Sequence, residues 1–326
     1  MGPEFQLIEA FVAAARASPR TPAGPGDDAA VLPRGRGETC VTVDAVVEDV
    51  HFRRASSRLE DIGHKSLAVN LSDLASMGAR PRWALVALGV RRGFSLREAR
   101  ALGAGFGALA RKTGTALVGG NVTRAPGLSL TVTVGGEVAP GRALLRSGAR
   151  PGDVVWVSGT LGDARLGLAL LERPSGKEAR RLRRAPRLAR AAVARQRRPS
   201  ARLELGVALV GLASSCIDLS DGLVQDAGHV AAASRVAVHL ALEAVPCSEA
   251  LEVAVPDASE RVRLAAAGGE DYELLFTTSP TRRVAVLRLA RRLDLSLTPV
   301  GEVRRGRGVH VRGADAGDLG GFDHLA

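Results

Sequence analysis

Ile217-Asp218-Leu219-Ser220-Asp221-Gly222-Leu223 follows an apolar stretch, residues 207–213, and precedes a periodic one carrying Val224, Ala227, Val230 and Ala231. That context predicts a short strand over 216–219, a turn, and a helix capped by Ser220 or Asp221. Two carboxylates and a hydroxyl then lie where a strand meets a helix N-terminus, which suits phosphate and divalent cations. A plain cap with a spare aspartate explains the stretch equally well on its own. Its weight comes from similar acidic turns elsewhere in the chain.

Working outward, apolar runs at 236–240, 272–277 and 297–303 read as strands, and 280–293 reads as a helix. Upstream, 154–157 reads as a strand and 161–171 as a helix, with further helices through a basic segment to 213. The first half carries helical spacing at 4–17, 58–77 and 95–112. Strand patterns lie at 29–32, 39–45, 83–90, 115–118 and 128–138, the fourth leading into Gly119-Gly120-Asn121. Gly103, Gly105 and Gly107 fall inside a helix pattern, so they read as packing glycines rather than a dinucleotide loop. Gly148-Ala149-Arg150-Pro151-Gly152 marks a boundary. The alternation predicts a mixed α/β (α+β) chain of two domains, 1–148 and 149–326.

The 326 residues suffice for two cores. No apolar run approaches the roughly 20 residues of a membrane helix, and Met1-Gly2-Pro3-Glu4-Phe5 lacks the pattern of a signal peptide. Cys40, Cys216 and Cys247 are odd in number and far apart, which argues against a disulfide frame or a zinc site and for a reducing cytoplasm. The net charge of +11 is local: residues 173–198 hold eleven Arg or Lys against Glu178 alone. With no Phe, Tyr or Trp for base stacking, this segment reads as a solvated basic helix and loop, and nucleic acid is not the expected partner.

Asp27-Asp28, Asp44, Asp73 beside Asn70, Asp218 and Asp221 form the acidic set. Two carboxylates about 4 Å apart repel by roughly 4 kcal/mol at an effective dielectric near 20. If the set converges it needs cations, and all-oxygen donors favour Mg²⁺. Mg²⁺ shares substrate phosphates, so phosphoryl transfer is the expected chemistry. No GxxxxGK[ST], HExxH or GxSxG motif competes.

The motifs Gly26-Asp27-Asp28, Asp44 with Glu48 and His51-Phe52, Lys65 to Ala79 (KSLAVNLSDLASMGA) and Gly119-Gly120 run in order along the chain. Gly141-Arg142-Ala143-Leu144, Arg146-Ser147-Gly148, IDLSDGL, Gly268 to Leu274 (GGEDYEL) and Gly321-Phe322-Asp323-His324 complete the series. In this series the chain resembles the thiamine-monophosphate kinase family. The resemblance implies the two-domain aminoimidazole ribonucleotide synthetase-like fold, a homodimer, and ATP with several Mg²⁺ ions. The first domain would bind ATP and Mg²⁺ and form the dimer, and the second would complete the active-site cleft. It implies Mg²⁺ ligation by Asp28, Asp44, Asp73, Asp218 and Asp221, with Thr42 and Asn121 assisting. Gly120, Asn121, Arg146 and Ser220 would contact ATP, while His51, Glu270 and Phe322 would line a thiamine-monophosphate site. The acceptor phosphate, with a second pKa of about 6, is largely deprotonated at neutral pH, so no general base is required.

The chain departs from the family pattern at Asn121, often Asp; Val43, often Thr; Val122, often a hydroxyl residue; Asp49, often Gly; and Phe322, a Tyr in some relatives. Three alternatives remain at this stage: another ATP-using enzyme of this fold, an ATP-binding member with weakened catalysis, and a basic RNA-binding protein.

Overall fold

The computed structural model describes residues 3–15, 32 and 35–312, and these residues form two compact units. The first spans Met1–Leu74 and Ala79–Gly141; the second spans Ala75–Gly78 and Arg142–Ala326. Asp28, Phe322 and the strand expected at 29–32 lie outside the described residues, save Leu32 itself.

The first unit contains α1 (Pro3–Ala15), β1 (Glu38–Val47), α2 (Leu59–Ser76, whose last two residues count with the second unit), β2 (Arg80–Val90), α3 (Leu96–Thr113), β3 (Ala116–Arg124) and β4 (Ser129–Val138). Its sheet runs β1-β4-β2-β3, antiparallel except for the β2–β3 pair. Alternation along the strands sends Ala84, Val86, Leu88, Leu130, Val132 and Val134 into the core. A capping box opens α3: Ser95 accepts from the Glu98 N–H, and Glu98 accepts from the Ser95 N–H at 2.8 Å. The three glycines of α3 are packing positions. A Cβ on Gly103 would press on the Phe11 carbonyl, one on Gly105 on the Glu60 carbonyl, and one on Gly107 on Ala15.

The strand expected at 115–118 does not stop before Gly119-Gly120-Asn121. β3 continues through it to Arg124, with Gly120 beside Val86 so closely that any Cβ would overlap the Val86 carbonyl. The paired glycines permit this approach rather than ending the strand.

The second unit contains β5 (Val154–Ser158), α4 (Asp163–Glu172), α5 (Lys177–Arg181), α6 (Pro186–Arg197), α7 (Leu203–Leu209), β6 (Ser215–Asp218), α8 (Leu223–Ser234) and β7 (Ala237–Ala241). It continues with α9 (Glu249–Ala254), α10 (Ala258–Ala267), β8 (Leu274–Thr278), α11 (Arg283–Leu293), β9 (Leu297–Arg304) and β10 (Gly308–Arg312). The sheet order is β10-β7-β9-β5-β8-β6. Both faces are covered, which explains its continuous apolar strands. Val155, Val157 and Leu275 join one core with Leu166, Ala227 and Ala265; Trp156, Leu274 and Phe276 join another with Leu205 and Leu289.

Two expectations shift here. The strand expected from 272 starts at Leu274, because Tyr272 has φ 51° and its N–H bonds to the Leu219 carbonyl at 2.9 Å. Nor is the basic segment simply solvated. Arg183, Arg184, Arg187 and Arg190 are exposed, but Leu182, Ala192 and Gln196 are buried, and Arg181 donates to the Ala254 carbonyl at 2.8 Å.

Candidate functional site

In the first unit, β1 pairs Thr42 with Val134 and Asp44 with Val132, so both polar residues share the sheet face that carries the core. Thr42 donates its hydroxyl to Asp73 Oδ2 on α2 at 2.5 Å. One turn earlier on α2, Asn70 is fully buried. Its Nδ2 donates to the Ser66 carbonyl at 3.1 Å, while Oδ1 has no hydrogen-bond partner. A hydroxyl and a carboxylate are thus paired, with a buried amide oxygen one helical turn away.

His51 sits in a tight turn. Its Nδ1 accepts the Val47 N–H at 3.1 Å, which leaves the ring proton on Nε2, and Lys65 Nζ donates to its carbonyl at 3.2 Å. Asp49 in the same turn has φ 64°, a left-handed conformation that explains why glycine suits this position and why aspartate is tolerated. Asn121 lies apart. It pairs with Ala87, and Ala87 with Thr131, on the face opposite Asp44. Three strand spacings, about 14 Å, separate β3 from β1, so Asp44 and Asn121 are not brought together within this unit.

In the second unit, Asp218 ends β6 with 5% exposure, and the turn beyond it is bonded to the Gly268–Leu274 loop. Leu219 N–H donates to the Glu273 carbonyl at 2.8 Å, Glu270 N–H to the Ser220 carbonyl at 2.7 Å, and Tyr272 N–H to the Leu219 carbonyl. Asp218, Ser220, Asp221 and Glu270 therefore lie on two turns fixed to each other. Neither Ser220 nor Asp221 caps α8. The cap position is Gly222, at φ 128°, and the bare N–H groups of Asp221 and Gly222 donate instead to Asp226 Oδ2 at 3.2 and 3.1 Å. Helix α8 is capped from inside its own first turn.

Asp226 is the residue that sequence reasoning missed. Its carboxylate, with those of Asp221 and the ring of His229, offers ligand atoms within 4.8 Å of one another. Burial and the charge of Asp221 push its carboxyl up to about 7, partly offset by its two backbone N–H donors and by Arg146. Arg146 thus acts on the same neighbourhood as Asp221; its carbonyl accepts from Ser234 Oγ at 3.0 Å. The only sequence signal for Asp226 was its position four residues after Gly222, within reach of N–H groups that no side chain at 222 could satisfy.

Buried polar groups brace the loop from behind. Asp271 accepts from the N–H groups of Gly162 at 2.6 Å and Ala164 at 3.1 Å, capping α4, whose own cap residue is a glycine. Glu273 accepts from Ser158 Oγ, Arg195 and Arg202 Nε, each at 2.6 Å. Gln196 donates to Glu270 Oε2 at 2.6 Å.

The residues present fit Mg²⁺. Thr42 with Asp73, and Asp221 with Asp226, are hard oxygen donors, and the orphaned Asn70 oxygen lies one turn from Asp73.

The N-terminal domain of AIR synthase related protein matches residues 26–138, and the C-terminal domain of AIR synthase related protein matches residues 150–313. The chain is 37% identical to the thiamine-monophosphate kinase of Escherichia coli (strain K12) over 341 aligned residues, covering 99% of this chain and 98% of that protein. The chain belongs to the thiamine-monophosphate kinase family. The crystal structure of the thiamine-monophosphate kinase from Stenotrophomonas maltophilia K279a matches with a TM-score of 0.85 at 42% identity, covering 96% of this chain and 98% of that one. A second solved relative, AaThiL complexed with AMPPCP and TMP, matches with a TM-score of 0.78 at 31% identity over 98% and 96% of the two chains. The two-domain fold expected from the motif series is the fold of this family.

Proposed function

We propose that this chain transfers the γ-phosphoryl group of ATP to thiamine monophosphate, giving thiamine diphosphate by direct in-line transfer. The observation that carries this reading is the pair of family signature turns, 217–223 and 268–274. Their backbones are bonded together so that Asp218, Ser220, Asp221 and Glu270 are held in fixed relation. Full-length identity to thiamine-monophosphate kinases, one of them solved with AMPPCP and TMP, supports the same substrates here.

Catalysis in this reading is placement and charge neutralisation rather than proton abstraction. Asp44, Asp73 and Thr42 in the first unit, and Asp218 and Asp221 in the second, are assigned to Mg²⁺; Asp28 belongs to the same assignment. Bound Mg²⁺ supplies neutralisation of the phosphate charge. Gly120, Asn121, Arg146 and Ser220 are assigned to ATP, with Asn121 contributing to the nucleotide rather than to an ion shared with Asp44. His51, Glu270 and Phe322 are assigned to thiamine monophosphate.

A homodimer built on β1 completes the reading. β1 is an edge strand, and Val41 and Val43 stand 59% and 58% exposed on the face away from the core. Val43→Glu is expected to give a monomer by light scattering, and a monomeric wild-type protein would overturn the dimer. No helix among the described residues is long and apolar enough to cross a membrane, and Cys40, Cys216 and Cys247 are unbridged, which fits the cytoplasm.

The test is direct. Purified protein with thiamine monophosphate, ATP and Mg²⁺ should form thiamine diphosphate and ADP in equal amounts. Absence of product at saturating Mg²⁺ sinks the reading.

A further inference from the structure

The last turn of α6 belongs to the Arg-rich segment, yet two consecutive residues there point inward. Gln196 is 5% exposed and donates Nε2 to Glu270 Oε2 at 2.6 Å. Arg195 donates to the Asp271 carbonyl at 3.3 Å and to Glu273 Oε1 at 2.6 Å. The helix thus holds the loop at three points: the Glu270 side chain, the Asp271 carbonyl and the Glu273 side chain.

That loop needs holding. Glu270 and Tyr272 both have left-handed backbones, with φ 67° and 51°, which non-glycine residues adopt only when their surroundings enforce it. The enforcement forms a closed circuit. α6 packs on α4 where Gly167 meets the Ala192 carbonyl too closely for any side chain, and Asp271 caps α4. The loop backbone is then tied to Leu219 and Ser220.

Gln196 carries a further mark. Its other amide atom, Oε1, is buried and has no hydrogen-bond partner. Flipping the amide would turn that oxygen toward the Glu270 carboxylate, so the orphan acceptor is the consequence of presenting N–H to Glu270.

We infer that Gln196, backed by Arg195, is a positioning residue for the thiamine-monophosphate site, fixing the Glu270 carboxylate for contact with substrate. The inner face of the basic helix thereby serves the reaction while its outer arginines remain in solvent. The inference rests on the proposed role of Glu270.

The experiment is steady-state kinetics on the full chain, varying thiamine monophosphate and ATP separately. Gln196→Met keeps the volume and removes both the donor and the orphan acceptor. The expected result is a rise of about five- to tenfold in KM for thiamine monophosphate, the scale of one ordinary net hydrogen bond. KM for ATP should stay within about twofold, and Tm should change little, because the buried orphan oxygen is removed while the half-buried Glu270 carboxylate that loses its donor still reaches water. In the double variant Glu270→Ala/Gln196→Met, KM should match that of Glu270→Ala alone, since Gln196 acts through Glu270. A fall in Tm with no KM difference between the substrates, or additive effects in the double variant, would overturn the inference. A silent Gln196→Met beside an impaired Glu270→Ala overturns it alone. A silent Glu270→Ala overturns the assignment beneath it, and a wild-type protein that makes no thiamine diphosphate overturns the kinase reading itself.

Discussion

Arg195 donates to Glu273 Oε1 at 2.6 Å, and the glutamate side chain it reaches has no exposure at all. Arg202 binds both oxygens of the same carboxylate, and Ser158 donates to it as well, so one buried anion is shared between two cations. Such a group contributes little compared with an apolar core but is costly to break. Glu273→Ala leaves two guanidinium groups facing each other and is expected to destabilise the fold by about 3 kcal/mol in urea titrations. Retention of wild-type stability would mean that water reaches both arginines.

A second expectation concerns pH. The Asp226 and Asp271 carboxyls are both pushed up to about 7 from an ordinary value of 3.8, mainly by burial. Between those values the folded protein keeps protons that the unfolded chain has released. The stability these groups contribute is therefore complete below about pH 4 and lost as pH rises through 7. Asp226→Asn keeps an acceptor for the two N–H groups and should remove about half of this slope, roughly 1 kcal/mol per pH unit. Urea titrations in Mg²⁺-free buffer from pH 4 to 8 read the change, and an unaltered slope refutes it.

Glycine substitutions should separate by position. Gly105→Ala drives a methyl group into the Glu60 carbonyl and is expected to cost 1–3 kcal/mol or more, about the range of overpacked cores. Gly228 lies in α8 with its nearest neighbour 3.9 Å from a built Cβ. Gly228→Ala should stabilise by about 0.5–1 kcal/mol through helix propensity. Differential scanning calorimetry distinguishes the two, and the same sign for both would contradict the packing described.

Thr42→Val removes the hydroxyl bonded to Asp73 while preserving shape. In the kinase reading it should raise the Mg²⁺ concentration for half-maximal activity about tenfold, the scale of a hydrogen bond to a charged group. An unchanged Mg²⁺ titration removes Thr42 from the metal assignment.

Much of this was legible in the sequence. The IDLSDGL stretch showed its strand and helix because an apolar run and a 3.6-residue period flank it, and Gly103, Gly105 and Gly107 showed packing because they sit inside a periodic helix. Which face of β1 is buried was not legible: Thr42 and Asp44 share the face of the buried Val134 and Val132, while Val41 and Val43 are the exposed pair. What stayed hidden depended on contacts distant in sequence. The strand read at 115–118 gives no sign of continuing through Gly119-Gly120 until Val86 comes alongside. Tyr272 looks like a strand residue until its N–H is claimed by Leu219. Gln196 and Glu270 are 74 positions apart, and no local pattern joins them. The Asp226 cap was missed for a different reason: a helix is ordinarily capped from outside, and a residue inside the first turn gives no conventional signal.

The cap that Asp271 places on α4 comes from 109 residues downstream of Gly162. At translation speeds of about 5–20 residues per second, α4 leaves the ribosome roughly 5 to 20 seconds before the carboxylate that finishes its first turn exists. During that interval its leading amides face water, and the surface it later shares with α6 cannot be locked by the loop. The first turn of α4 thus gains its cap only after the GGEDYEL segment has been made, and a chain stalled before that point leaves those amides to water.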